Sequence, residues 1–286
     1  MFVASGMQDY QLYDTGEGMK LESWAGIWLS RPDPQAIWKK QFPGKWEKAA
    51  AVYRRSSAGG GHWEYKRKLP ERWEVEIGGL RFYVRPTGFK HTGLFPEQSC
   101  NWAFIREHTA PGDRVLNLFA YTGGATLAAA AAGAEVAHVD AAKGMVAWAR
   151  ENAALSGLSD RPIRYIVDDC LKFVKREQRR GRQYEGIIMD PPSYGRGSGG
   201  EVWKLEDSIA ELVEEAAKLL SPRAKFFLLS SYTTGLSAVV TGNLLEQYVR
   251  SRLGGRIEAD TLAIPVEQSR LYLPCGTTAR WMREEA

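Results

Sequence analysis

Residues 114–140 read RVLNLFAYTGGATLAAAAAGAEVAHVD, and the order of residue types in this stretch decides the fold. RVLNLF is an apolar run of strand length. The pair Gly123-Gly124 makes a tight turn, GATLAAAAAG is an alanine-rich helix closed by Gly133, and VAHVD is a second strand that ends on an acid. Apolar strands alternating with helical segments are the signature of a parallel sheet with crossover helices.

The same alternation continues toward the C-terminus. A helix runs through MVAWARENAALSG to Gly157, and IRYIVDD, EGIIMD and AKFFLL are three further buried strands. From Leu205 to Leu220, the residues Leu205, Ile209, Leu212, Val213, Ala216 and Leu219 recur at helical spacing. RIEADTLAIP and RLYLPCGTTARWM read as a terminal antiparallel pair. The expected fold class is α/β: a Rossmann-like, doubly wound, mostly parallel seven-stranded sheet with a small β-rich N-terminal domain. The expected boundary separates residues 1–86 from 87–286.

Upstream, YQLYD, LESWAGIWLS and HWEYKRKL are β-branched or aromatic runs of strand length, and RWEVEI and LRFYVRP flank a hairpin at Gly78-Gly79. AIWKKQFPGKWEKAAAVYRR supplies helical turns between strands. Six of the ten tryptophans lie in this part, and between Trp38 and Lys68 nine Lys and Arg face two Glu. Two readings stand side by side. The segment is a small core with a solvated basic face, or a nucleic-acid surface on which cations neutralise phosphates and aromatic rings stack bases.

Bulk composition narrows the function classes. A hydrophobic fraction of 44% and a charged fraction of 25% belong to an ordinary globular protein, not to disordered or collagen-like chains. No apolar run reaches the roughly 20 residues of a membrane span, and MFVASGMQDYQ lacks a signal-peptide layout. These features place the chain in the cytoplasm with no membrane partner. Three widely spaced cysteines, Cys100, Cys170 and Cys275, suit a reducing compartment and offer no CxxC metal pair, so no metal is expected.

Ligands of such sheets bind outside the carboxyl ends of the strands, near the point where strand order reverses. The turn Ala120-Tyr121-Thr122-Gly123-Gly124 follows strand one, Asp140 follows strand two, Asp168 and Asp169 follow strand three, and Asp190 follows strand four. A dinucleotide site would carry GxGxxG at the first turn, and FAYTGGAT does not. Acids at successive strand ends suit a ligand with a ribose and an adenine amino group but no phosphate, the profile of S-adenosylmethionine. Any one of these acids, taken alone, reads as a helix N-cap.

VLNLFAYTGGATL, HVDAAKGMVAWARENAALSGL, DDCLKF and MDPPSY resemble, in order, the motifs of class I S-adenosylmethionine-dependent methyltransferases. More narrowly they resemble bacterial large-subunit ribosomal RNA methyltransferases acting on cytosine C5 or guanine N7, and FKHTGLFPEQ resembles the TGLF element that precedes the catalytic domain there. The resemblance covers about Phe89 to Leu229. It implies S-adenosyl-L-methionine as cofactor and RNA, ribosomal in kind, as partner. It implies that Phe119, Ala120, Tyr121 and Thr122 wrap the methionine part, with Asn117 and Gly123 also among the cofactor-binding residues. Asp140, with Ala141 beside it, would hold the ribose, Asp169 the adenine amino group and the Cys170 amide the adenine ring. Thr92, Gly93, Phe95 and Gln98 would cover the cofactor from the upstream side.

Asp190, Pro191, Pro192 and Tyr194 are the implied catalytic set, with Asp190 also near the cofactor. The acid-Pro-Pro-aromatic pattern resembles the loop by which amino and ring-nitrogen methyltransferases grip a flat base. Ser193 is inserted before Tyr194, which bears on whether the tyrosine can stack. In cytosine-C5 enzymes of this type a cysteine after strand five adds to the ring, because the carbon is otherwise a poor nucleophile. This chain reads LLSSYTTGL there, with Ser230, Ser231 and Tyr232, so nitrogen is favoured over C5. The glycine-rich tail GRGSGG is expected to close over substrate, with Arg196 reaching a phosphate. Two alternatives remain at this point: a small-molecule or protein methyltransferase with an N-terminal lid, and a catalytically silent RNA-binding homologue.

Overall fold

The computed structural model describes residues 1–56, 60–196, 202–233 and 235–284. The chain forms two compact units. The large one comprises Met1, Asn101–Thr261 and Gly276–Ala286, and the small one comprises Phe2–Cys100 and Leu262–Cys275. The division therefore falls after Cys100 rather than after residue 86, and a C-terminal segment joins the N-terminal one. Backbone pairing explains the second point: Phe2 and Val3 pair in parallel with Leu262 and Ala263, and the Glu267 N–H donates to the Leu12 carbonyl at 2.7 Å.

The main sheet has eight strands, one more than expected, because the two-residue strand Phe2–Val3 adds to its edge; the other seven are β1 (Arg114–Leu118), β2 (Glu135–Asp140), β3 (Ile163–Val167), β4 (Gly186–Met189), β5 (Phe226–Ser231), β6 (Arg256–Pro265) and β7 (Tyr272–Met282). Their spatial order is β6-β7-β5-β4-β1-β2-β3. β1 to β5 run parallel, and β7 runs antiparallel to β5. The fold is thus the expected α/β sheet, mostly parallel, beside a separate small β-rich unit. Strand order reverses between β1 and β4. In that register Leu118 lies opposite both Met189 and Val139, so the chain leaves β1, β2 and β4 at one level.

Burial accounts for these strands. Every residue of β4 and β5 is buried, as strands covered on both faces require. The helix Leu205–Ala217 buries Leu205, Ile209, Leu212, Val213 and Ala216, the stripe its spacing predicts. It stops before Leu220 because the Leu219 carbonyl accepts the Tyr184 N–H at 2.8 Å, which draws the chain toward the start of β4. Among the described residues no helix is long and apolar enough to cross a membrane, and no three or more His, Cys, Asp or Glu stand together as metal ligands.

The small unit holds a five-stranded sheet in sequence order: Tyr10–Gly16, Met19–Trp24, Ile27–Pro32, Ala51–Arg55 and Gly61–Tyr65. A separate hairpin joins Trp73–Ile77 to Leu80–Val84. LESWAGIWLS is two strands, not one, because Ala25 (φ 48°) and Gly26 (φ 81°) make a tight left-handed turn in its middle. The stretch expected to supply helical turns contributes one short 3-10 turn, Pro43–Lys48, and its end AVYRR is a strand paired with Gly61–Tyr65.

Candidate active site

The turn after β1 is a strained piece of backbone. Phe119 (φ 57°), Tyr121 (φ 50°) and Gly123 (φ 93°) all take left-handed conformations, two of them with side chains that pay about 1–3 kcal/mol for it. Neighbours hold the turn in place. The Ala120 N–H donates to the Val139 carbonyl at 3.0 Å, the Thr122 carbonyl accepts Asn152 Nδ2 at 2.9 Å, and the Phe119 N–H reaches Cys170 Sγ at 3.4 Å. Glycine is required at the next position for a different reason: a Cβ on Gly124 would meet the Trp102 ring at 2.5 Å.

Asp140 ties the turn to the second strand. Its Oδ2 accepts the Tyr121 N–H and its Oδ1 the Ala142 N–H, each at 2.8 Å. Burial raises its pKa, and these two N–H groups work against that rise. Each oxygen has accepted one backbone hydrogen, and a carboxylate oxygen has capacity for a second acceptor bond. The half-buried carboxylate can therefore receive a vicinal diol without losing its hold on the turn.

Asn117 is turned into the protein. It donates from Nδ2 to Thr126 Oγ1 at 2.9 Å, and Thr126 Oγ1 lies 2.9 Å from His138 Nδ1. All three are buried. The chain of polar groups braces the helix Gly124–Ala131 from behind, so the Asn117 side chain supports the turn from beneath. Burial pushes His138 down to about 3. The unfolded chain takes up that proton below its ordinary value of about 6.5. The stability contributed by the neutral ring is thus complete above about pH 6.5 and is lost as the pH falls toward 3, at about 1.4 kcal/mol per unit. Nitrogen-15 NMR of the imidazole at pH 5 is expected to show a neutral ring, and a protonated one would contradict this environment.

The acids after β3 divide their work. Asp168 pairs with Arg176, and Asp169 caps the helix Cys170–Arg179 by accepting the Lys172 N–H on Oδ1 at 2.9 Å. Cys170 is buried, and burial pushes its thiol far above the usual range. Ala141 is exposed beside Asp140. Thr92, Gly93, Phe95 and Gln98 lie in the small unit. There Thr92 is fully buried with an Oγ1 that has no hydrogen-bond partner among the described residues, Gly93 has φ 96°, and the Gln98 N–H donates to the Phe95 carbonyl at 3.1 Å.

After β4 comes Asp190, half-buried, then buried Pro191 and exposed Pro192 and Ser193. Tyr194–Arg196 pairs antiparallel with Val202–Lys204, and the Tyr194 side chain is 54% exposed. The returning arm brings Trp203 back onto the loop. Its Nε1 donates to the Pro192 carbonyl at 2.8 Å, and its half-buried ring lies 5.8 Å from the Phe119 ring. On the other side Thr233 Oγ1 donates to Ser193 Oγ at 2.6 Å. The extra serine is thus a point of attachment to the segment after β5. Residues 197–200 of the glycine-rich tail, and the Arg196 side chain, lie outside the described residues.

Trp203 was invisible as a site residue in the sequence. The signal was there, in two short alternating segments, YGR and VWK, flanking a glycine-rich stretch as hairpin arms do. Ser230 and Ser231, where a nucleophilic cysteine would follow, are buried. Ser230 Oγ is bonded to Thr278 Oγ1 at 3.2 Å.

A family model described as S-adenosylmethionine-dependent methyltransferase matches residues 44–237. A crystal structure of a SAM-dependent methyltransferase from Agrobacterium tumefaciens is 38% identical, with a TM-score of 0.93, and the alignment covers 99% of this chain and 93% of that one. Two relatives called ribosomal RNA large subunit methyltransferase K/L, from Shewanella frigidimarina and Chromohalobacter salexigens, are each 37% identical, over 164 and 154 residues. These matches take in 55% and 53% of this chain but only 22% and 20% of those relatives. The chain therefore spans about a fifth of the length of the curated relatives it matches.

Proposed function

The chain belongs to the S-adenosylmethionine-dependent methyltransferase family, and from that premise we propose that it methylates a base of ribosomal RNA at nitrogen. The observation that carries the choice of atom is the state of Cys170, the one cysteine of the large unit. It is buried behind the Phe119 turn with its thiol held protonated. Attack on cytosine C5 needs a thiolate that can reach the ring, and a nitrogen brings its own lone pair. The relatives called ribosomal RNA methyltransferases favour RNA as the substrate.

The donors around β1, β2 and β3 fit S-adenosylmethionine. Asp140 takes the ribose hydroxyls on its remaining acceptor positions, and the turn Phe119–Gly123 surrounds the methionine part. One oxygen of Asp169 caps its helix, and the other accepts from the adenine amino group, beside the Cys170 amide. When bound, the cofactor supplies a sulfonium methyl that is already activated. The protein's task is to align the target nitrogen with that methyl and to exclude water.

Asp190 and a carbonyl of the Pro191-Pro192 pair are the acceptors that hold the base, and the Trp203 indole N–H, by donating to the Pro192 carbonyl, fixes that pair. The Trp203 ring, placed between that loop and Phe119, gives the base a flat wall, and Tyr194 faces solvent. Trp203→Phe is expected to slow transfer about tenfold, the worth of one hydrogen bond of about 1.4 kcal/mol, with little change in cofactor affinity. Tyr194→Ala is expected to stay near the wild-type rate. Single-turnover transfer of tritiated methyl to ribosomal RNA measures both.

The reading itself is tested by comparing nucleosides of ribosomal RNA from cells with and without the gene. One methylated base should disappear, and an N-methyl assignment by mass spectrometry supports the chemistry proposed. A variant with all three cysteines replaced by alanine is expected to keep transferring, at a stability cost of about 1–2 kcal/mol. Loss of transfer from that folded variant would return the choice to C5.

A further inference from the structure

We propose that the small unit carries a binding surface for single-stranded RNA, assembled from two basic runs that are apart in sequence, Lys40–Lys48 and Lys66–Lys68. The proposal rests on the reading of the protein as an RNA methyltransferase and assigns a place on the small unit to that substrate.

A buried acid organises the first run. The Asp14 carboxylate, fully buried, accepts the Gln41 N–H at 3.2 Å, the Phe42 N–H at 2.9 Å and Trp46 Nε1 at 2.8 Å. This fixes the Pro43–Lys48 turn, which buries none of its residues. Its lysines stand over aromatic faces. Lys40 Nζ lies 4.3 Å from the Trp46 ring, Lys45 Nζ 4.4 Å from Phe42 and Lys48 Nζ 5.3 Å from Trp28. Attraction to the ring faces restrains ammonium groups that would otherwise sample many rotamers.

The second run is brought in by the backbone. The Ala50 carbonyl, two residues after Lys48, accepts the Lys66 N–H at 2.8 Å and the Arg67 N–H at 3.2 Å. Lys66, Arg67 and Lys68 are all exposed where they leave the edge strand Gly61–Tyr65, and Tyr65 beside them is 55% exposed. Acids nearby are few and engaged in part: Glu17 pairs with Lys40 at 3.1 Å and Glu64 with Arg54 at 2.8 Å, while Glu47 is exposed. The result is two basic runs drawn together at Ala50, with half-buried or exposed indole and phenol rings among them. A phosphate backbone matches the charge. Unstacked bases match the exposed Tyr65 ring, which paired bases in a duplex cannot reach.

The test uses the full chain and a fluorescein-labelled 20-nucleotide polyuridylate, with an RNA duplex of the same length for comparison. Anisotropy titrations across a salt series give the slope of log K against log salt. Lys45→Gln with Lys48→Gln, and separately Lys66→Gln with Lys68→Gln, should each lower that slope by about 1.4, two phosphate contacts at about 0.7 each on a single strand. Calorimetric binding of S-adenosylmethionine should be unchanged, which shows that the variants are folded. Wild-type affinity and slope in both variants would overturn the proposal, as would equal or tighter binding of the duplex, or a preference for anionic phospholipid vesicles over RNA. The outcome separates from that of the functional reading. If the wild type binds polyuridylate through these lysines but methylates no ribosomal RNA, the surface stands and the reading fails. If ribosomal RNA is methylated with the same KM by wild type and variants, the reading stands and the surface fails.

Discussion

Asp190→Ala is expected to slow methyl transfer by about a hundredfold or more, the cost of misplacing a reacting group by about 1 Å. The affinity for S-adenosylmethionine should change far less. The residue sits where β4 ends, half-buried, in register with the end of β1 across the switch point, and a rigid Pro-Pro pair follows it. Its carboxylate is the acceptor we assign to the target base, so its removal unfixes the base without touching the ribose or methionine contacts. Asp190→Asn keeps one acceptor oxygen and is expected to recover part of the loss. Calorimetry alongside single-turnover kinetics separates the roles. A fall in cofactor affinity as large as the fall in rate would make Asp190 a cofactor ligand and not a substrate acceptor.

The second large effect is expected at Asp140. Two charge-assisted bonds to a ribose are worth about 1.5–3 kcal/mol each. Asp140→Ala should therefore weaken S-adenosylmethionine binding by at least about a hundredfold. The loss is compounded because the same carboxylate holds the Tyr121 and Ala142 N–H groups, so the strained turn loses an anchor together with the ligand contact. Asp140→Asn is expected to fall between, since an amide presents one acceptor oxygen. Undiminished calorimetric affinity in the alanine variant would place the ribose elsewhere. The shift in Tm on adding cofactor provides an independent reading, because a ligand stabilises only the form that binds it.

Much of this site is written in local sequence. The strand, turn, helix and acid of residues 114–140 follow from periodicity and glycine, because each is settled by neighbours a few positions away. The Pro192–Trp203 contact is not local in that sense. It depends on a hairpin whose arms, Tyr194–Arg196 and Val202–Lys204, must pair before the indole meets the carbonyl. Ser193 was likewise readable as an insertion but not as a link to Thr233, which lies forty positions on. Asn117 has a partner that local sequence does not reveal. Its place in the motif suggests a ligand contact, while its amide is bonded to Thr126 in a buried chain that ends at His138.

The small unit was harder to read for a related reason. LESWAGIWLS has the composition of one strand, and only the left-handed backbone at Ala25 and Gly26 folds it back on itself. The basic segment gave its charge count in sequence but not its organisation, since Asp14 and the Ala50 carbonyl are what gather it.

The interleaving of the two units has a practical and an evolutionary side. The chain enters the small unit at Phe2, leaves it after Cys100, re-enters at Leu262 and leaves again at Gly276. No single cleavage can release an intact copy of either unit, so a gene fragment ending near residue 100 encodes the five-stranded sheet without the Leu262–Cys275 segment that belongs to the same unit. An exchange of the small unit between genes would have to carry two separate segments, and substitutions in Leu262–Cys275 are expected to act on the unit built mainly from residues 2–100.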